Sequence, residues 1–123
     1  MNITQEIGDA TYIIRAYDDH AVVVNDTKFT RSFIVMPNAL HPEWEPQSLE
    51  ELTEFHLEKI ATLQPEIVIL GTGSKFQFPG TQVQAFFLQK GIGIEFMTTA
   101  AACRTYNILM SEGRTVACAL LID

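Results

Sequence analysis

The sequence predicts an α/β domain, and three observations carry that reading. Strand-like and helix-like stretches follow one another through the second half of the chain in the order β-α-β-α-β, with short connections. The first third is rich in Ile, Val and Tyr and broken by turn residues, as a β meander would be. Near the C-terminus, Val116 to Ile122 is an uninterrupted apolar run of seven residues, the character of a central strand buried on both faces. The alternating order implies crossover units on a largely parallel sheet, with the meander beside or across it. The direction of the last strand depends on a register that the sequence leaves open.

In chain order, Thr11–Tyr17 and Ala21–Val24 read as strands joined through Asp18-Asp19-His20. Asn25-Asp26 occupies a tight hairpin turn, since both residues tolerate positive φ. Thr27–Thr30 and Phe33–Met36 continue the meander, and Pro37 is expected to end it. Pro42, Trp44 and Pro46 make a stiff loop. Ser48 with Glu51 fits a capping box for a helix from Leu49 towards Leu63, while Thr53 equally suits the cap of a second, separate helix. Ile67–Leu70 is a strand ending at Gly71-Thr72-Gly73. Thr81–Lys90 is a helix with Val83, Phe86 and Phe87 on one face and Gly91 as its stop. Ile92–Phe96 is the next strand, Thr98 or Thr99 caps a helix over about 100–111, and Gly113 ends it before the strand Thr115–Ile122. Tyr106 and Leu109, three apart, are expected to face the sheet.

At 123 residues, with 47% apolar and 19% charged residues, the chain has the size and composition of one globular domain. Two cysteines, Cys103 and Cys118, are too few for a disulfide scaffold and read as free buried thiols in a reducing compartment. The N-terminus lacks the pattern of a secretory or mitochondrial leader, and no apolar run is long enough to span a membrane. The expected location is therefore the cytoplasm. The net charge of −7 argues against nucleic acid or anionic lipid as a partner. It is concentrated between His41 and Glu66, where seven acids face one base, Lys59. That stretch reads as a solvated helix face, with docking of a basic partner as the alternative.

Gly71-Thr72-Gly73 follows a strand as a dinucleotide-binding turn would, but Phe76 stands where the third glycine belongs, and Ser74-Lys75 lacks the rest of a phosphate-binding loop. The first turn after Thr98-Thr99 offers backbone N–H groups and a helix dipole, and Arg104 about one turn on adds a bidentate donor. An anionic ligand between this helix start and Gly71–Gly73 is the resulting expectation, since α/β proteins bind ligands at the C-terminal edge of their strands. The competing reading pairs Arg104 with Glu95 or a helix terminus. Cys103 lies near the same helix start beside an arginine, but none of His20, His41 or His56 has a spacing that would serve it as base, so it reads as a small buried hydrophobe. No CxxC or HExxH occurs and the histidines lack zinc-ligand spacing, so no metal or cofactor is expected. Trp44, between Glu43 and Glu45, is either a lid over the core or an exposed anchor for a partner.

The stretch from Gly91 to Arg114, with Glu95, Thr98-Thr99, Arg104-Thr105-Tyr106-Asn107, Leu109 and Glu112-Gly113-Arg114, resembles the signature of the small Mth-type domain family. Thr30-Arg31-Ser32, Trp44-x-Pro46 and Ile69–Gly73 resemble it as well, so the likeness runs from about Tyr12 to Leu121. That family includes a mitochondrial assembly factor of respiratory complex I and an adipogenesis-associated protein. The resemblance implies a three-layer α/β fold with a mixed central sheet. It also implies a shared crevice of Gly71, Thr72, Gly73, Glu95, Thr99, Arg104, Thr105 and Asn107, in which Thr98 replaces an aspartate common in the family. It implies no reaction. Three function classes follow: a non-catalytic assembly factor or adaptor linked to NADH dehydrogenase, with Trp44 as its partner-binding anchor; a binder or enzyme for a small anionic ligand at the strand-edge crevice; and a self-associating domain, compatible with either.

Overall fold

The computed structural model describes residues 12–123, and its central feature is a mixed five-stranded sheet in the order β5-β4-β8-β6-β7. The strands are β4 (Phe33–Met36), β5 (Ala39–His41), β6 (Ile67–Gly71), β7 (Gly93–Met97) and β8 (Val116–Leu120). A separate antiparallel sheet holds β1 (Ile14–Tyr17), β2 (Val22–Val24) and β3 (Thr27–Phe29). The helices are α1 (Glu54–Ala61), α2 (Thr81–Leu88) and α3 (Thr99–Ser111), with a 3-10 turn at Leu49–Glu51.

The last strand is central, as its composition requires. β8 runs parallel to β6 and antiparallel to β4, and all five of its residues are buried. Side chains alternate across a strand, so Val116, Cys118 and Leu120 enter one core while Ala117, Ala119 and Leu121 enter the other. The first core lies between the sheet, α3 and the small sheet, where Tyr106 is fully buried and Leu109 packs against the cluster. The second lies between the opposite face and α1 with α2, where Leu57, Ile60 and Phe87 are buried. Three layers result, as the resemblance implies. The connections β6-α2-β7 and β7-α3-β8 place their helices on opposite faces, because the second returns across β6.

Two local expectations change, and one open choice is decided. Pro37 does not end the meander: Pro37-Asn38 is the turn of a hairpin that adds β5 to β4, and proline's fixed φ suits such a turn. The chain changes sheets at Thr30–Ser32 instead. Of the two alternatives open for residues 49–63, one helix or a second one capped by Thr53, the structure has the second: a 3-10 turn at Leu49–Glu51 and a separate helix at Glu54–Ala61. Ser48 makes no side-chain cap, and Glu51 accepts the Gln47 N–H at 2.9 Å instead of reaching Ser48. At α1 the third residue is His56, whose Nδ1 accepts the Thr53 N–H at 3.0 Å. The predicted strand start at Thr11 lies outside the described residues.

At Trp44 the structure decides between the two readings, for the lid over the core and against the partner-binding anchor. It is 1% exposed and packs in the second core with Ile34, Leu57 and Ile60, so it closes that core and cannot serve as an exposed anchor. Flanking glutamates in the sequence suggested a solvent-facing ring. In this irregular loop Trp44 turns inward while Glu43 and Glu45 on either side stay exposed.

Candidate functional site

The strand ends around Gly71 form a closed hydrogen-bond lattice. Thr99, first residue of α3, accepts the Gly73 N–H on Oγ1 at 2.9 Å and donates to the Leu121 carbonyl at 2.6 Å. Its own N–H donates to the Gly73 carbonyl at 2.9 Å. The Thr72 N–H donates to Met97, the Leu121 N–H to Gly71, and the Thr72 hydroxyl accepts the Gln77 N–H at 3.1 Å. Asp123 receives both the N–H and the hydroxyl of Ser74, at 3.0 and 2.9 Å. Burial opposes ionisation of Asp123, yet these bonds outweigh it and hold the carboxyl below its ordinary range.

Gly71, Thr72, Gly73 and Thr99 therefore do meet, as expected, but they meet in contact. A Cβ on Gly71 would stand 3.0 Å from the Thr99 Cα and 2.9 Å from Leu120, which is why glycine occupies the position. Gly73 has φ 112° and faces the Asp123 carboxylate. Two N–H groups at the helix start are also committed: the Thr98 hydroxyl accepts that of Ala101 at 3.2 Å, and that of Thr99 donates to Gly73. A cavity of about 610 Å³ lies at the other end of the sheet, beside Met36, Leu63, Met110 and Arg114.

The remaining signature residues divide between the two flanks of α3. Asn107 accepts the Ile14 N–H at 3.1 Å and donates to the Ile14 carbonyl at 2.7 Å, replacing a strand partner where β1 bulges. The Tyr106 hydroxyl, kept protonated by burial, donates to the Tyr12 carbonyl at 2.6 Å. Arg104 is exposed and donates to the Tyr17 hydroxyl at 3.2 Å, pairing with neither Glu95 nor a helix end. These three residues clamp the small sheet onto α3. On the other flank, the Thr105 hydroxyl contacts the Met97 sulfur at 3.3 Å, and Glu95 is exposed on β7. The eight residues thus form a lattice, a clamp and an edge.

Both thiols are shielded. Cys103 and Cys118 are fully buried free thiols. Burial pushes Cys103 up to about 12, against a weaker opposing pull from Arg104, and raises Cys118 as well. His56 Nε2 lies 3.3 Å from Glu45, and with Nδ1 accepting from Thr53 the proton sits on Nε2. Among the described residues no group of His, Cys, Asp and Glu is placed to hold a metal ion. No helix among them is long and apolar enough to cross a membrane.

The feature that sequence reasoning missed is an exposed apolar margin. Phe76 and Phe78, in the loop between β6 and α2, are 54% and 53% exposed, and Phe78 packs edge-on against Phe96 of β7 at 5.5 Å. Leu88 of α2 is exposed too. The available signal was two phenylalanines alternating with Lys75 and Gln77 in a segment with no helical or strand role.

Comparison with known proteins agrees with this architecture. Residues 14–121 match the family described as a protein of unknown function, DUF498/DUF598. A Xanthomonas campestris protein of known structure is 46% identical, with a TM-score of 0.86 over 99% of this chain and 92% of its own. A Bordetella pertussis protein, a Mth938-like domain, is 31% identical, with a TM-score of 0.80 over 93% of this chain and 87% of its own. Among curated relatives, the 13 kDa major membrane protein of Francisella tularensis is 25% identical over 98% of this chain and 99% of its own length. NADH dehydrogenase (ubiquinone) 1 alpha subcomplex assembly factor 3 of Xenopus tropicalis is 32% identical over 88% of this chain, which spans 60% of that protein. The chain belongs to the DUF498/DUF598 family of proteins of unknown function, the Mth938-like domains.

Proposed function

We propose that this protein works in the cytoplasm by binding another protein, as a non-catalytic assembly factor or adaptor, and that the process it serves is assembly of NADH dehydrogenase. The observation that carries the binding role is the exposure of Phe76 and Phe78 on a chain whose two cores are otherwise filled. Large aromatic residues left in water beside a sheet edge are the ordinary material of a protein interface. The polar signature residues support the same reading, because their hydrogen bonds join secondary-structure elements to one another. The link to NADH dehydrogenase rests on kinship with the assembly factors, which are 32% identical in Xenopus tropicalis and 30% in human.

Deleting the gene in its host and measuring the assembled NADH dehydrogenase by native gel and activity tests the reading. Loss of the assembled complex, restored by the wild-type gene, is expected. Normal assembly in the deletion strain overturns the link to NADH dehydrogenase.

A further inference from the structure

We propose that β7 is an acceptor edge for strand addition, and that the segment it takes from a partner is extended and reads apolar–cationic–apolar. The inference rests on the adaptor reading above and specifies its surface. It begins with the backbone. β7 pairs with β6 on one side only, and it is the last strand of the sheet. The Gly93 N–H donates to Glu66, and the Met97 carbonyl accepts from Thr72, so the main-chain groups of residues 93, 95 and 97 face β6. In a parallel ladder alternate residues point their groups to opposite sides. Those of Ile94 and Phe96 therefore point away from the sheet, ready for another strand.

The two edges of the sheet are treated differently. At the far edge β5 is three residues long, preceded by Pro37 and followed by Pro42, which is how proteins blunt an edge against pairing. β7 is five residues long, contains no proline, and every residue in it is at least partly exposed. The side chains then define the partner. Ile94 and Phe96 point to the α2 face, where they join the second core. Phe78 lies against Phe96 on that face. Gln82, Phe86 and Gln89 turn toward α1 across a groove they share with Leu52 and Leu57. Leu88 of α2 is exposed as well. A partner residue directly opposite Ile94 or Phe96 shares that face, and there it meets an apolar margin.

The residue between them falls opposite Glu95, on the α3 face. Glu95 is exposed and has no ion pair among the described residues. A cation in the partner completes a cross-strand pair with it. A second copy of this chain, paired antiparallel through Ile94 and Phe96, would place Glu95 against its own counterpart, and each copy carries a net charge of −7. Like charges directly opposite are destabilising, so the charge favours a foreign, basic strand over self-pairing.

The test uses the whole protein and a capped peptide, Ser-Thr-Val-Lys-Val-Thr-Ser, with amide chemical shifts and hydrogen exchange as the readout. Millimolar peptide is expected to shift the amides of residues 76–78 and 94–97 and to slow exchange at Ile94 and Phe96. Replacing the central lysine with glutamate should weaken binding roughly fivefold, from the sign change of one cross-strand pair. The protein variant Glu95→Lys should reverse that preference. A peptide N-methylated at the groups that meet Ile94 and Phe96 should not bind. Shifts confined elsewhere, no shifts at millimolar peptide, or equal binding of the N-methylated peptide each overturn strand addition. Sedimentation showing a dimer through β7 overturns the choice of a foreign strand. If gene deletion impairs NADH dehydrogenase assembly while the peptide leaves β7 untouched, the adaptor reading stands and this surface is wrong.

Discussion

Replacing Thr99 with valine removes one oxygen and almost no volume from the junction of β6, β8 and α3. That oxygen accepts the Gly73 N–H at 2.9 Å and donates to the Leu121 carbonyl at 2.6 Å, in a place closed to water. Neither partner gains a substitute, because the neighbouring lattice is already committed to Met97, Gly71 and Asp123. An orphaned buried polar group costs about 1–3 kcal/mol, so two together should cost about 3 kcal/mol. In a domain of this size that corresponds to a fall in Tm of roughly 10 °C. Urea unfolding of wild type, Thr99→Val and Thr99→Ser measures it, and the serine variant, which keeps the hydroxyl, should retain most of the stability. A valine variant within about 0.5 kcal/mol of wild type, the scatter of an ordinary surface change, would refute the reasoning.

Three further outcomes are expected. Trp44→Ala should destabilise by about 3–5 kcal/mol, the cost of emptying an aromatic site in a core; a folded variant of unchanged stability, measured by urea unfolding, contradicts its placement. Cys103, pushed up to about 12 by burial, should be alkylated at pH 8 no faster than the protein unfolds; faster labelling in native buffer contradicts it. Glu66 is held below its ordinary value of 4.5 by the Thr115 N–H, accepted at 2.9 Å, and by Arg114 at 3.1 Å. Its folded-state pKa is depressed, so its stabilisation is present above 4.5 and is lost as pH falls through the folded-state value. Glu66→Gln should therefore flatten the acid side of the stability–pH curve, and an unchanged acid limb contradicts the pairing.

Much of the fold was legible because burial leaves a period in the sequence. The apolar run Val116–Ile122 has the character of a strand covered on both faces, and within it Val116–Leu120 is the central strand of the sheet. Asn25 takes φ 53° in the hairpin turn its chemistry suggested. β5 was not legible, since Ala39-Leu40-His41 has no alternation of its own and follows a proline that reads as a stop. Trp44 stayed open between core lid and exposed anchor for a related reason: the charge of its neighbours says nothing about which way an irregular loop turns. The candidate crevice was half legible. Sequence brought Gly71, Gly73 and Thr99 together correctly, but Asn107 and Arg104 are recruited to Ile14 and Tyr17, roughly 90 residues away in the chain. Polar residues at a helix start look alike in sequence whether they await a ligand or satisfy another strand.

The central claim is that function lies on the exposed β7 margin, Glu95 included, and that the other polar signature residues are structural. Complementation of a gene-deletion strain tests it most directly, comparing Phe76→Ser/Phe78→Ser with Arg104→Ala and measuring assembled NADH dehydrogenase. Both variants alter exposed side chains, and unfolding of the purified proteins confirms that each is folded. The account predicts that the double phenylalanine variant fails to restore assembly while Arg104→Ala restores it. Restoration by the phenylalanine variant, together with failure of Arg104→Ala, would contradict it and return the function to the strand-edge crevice.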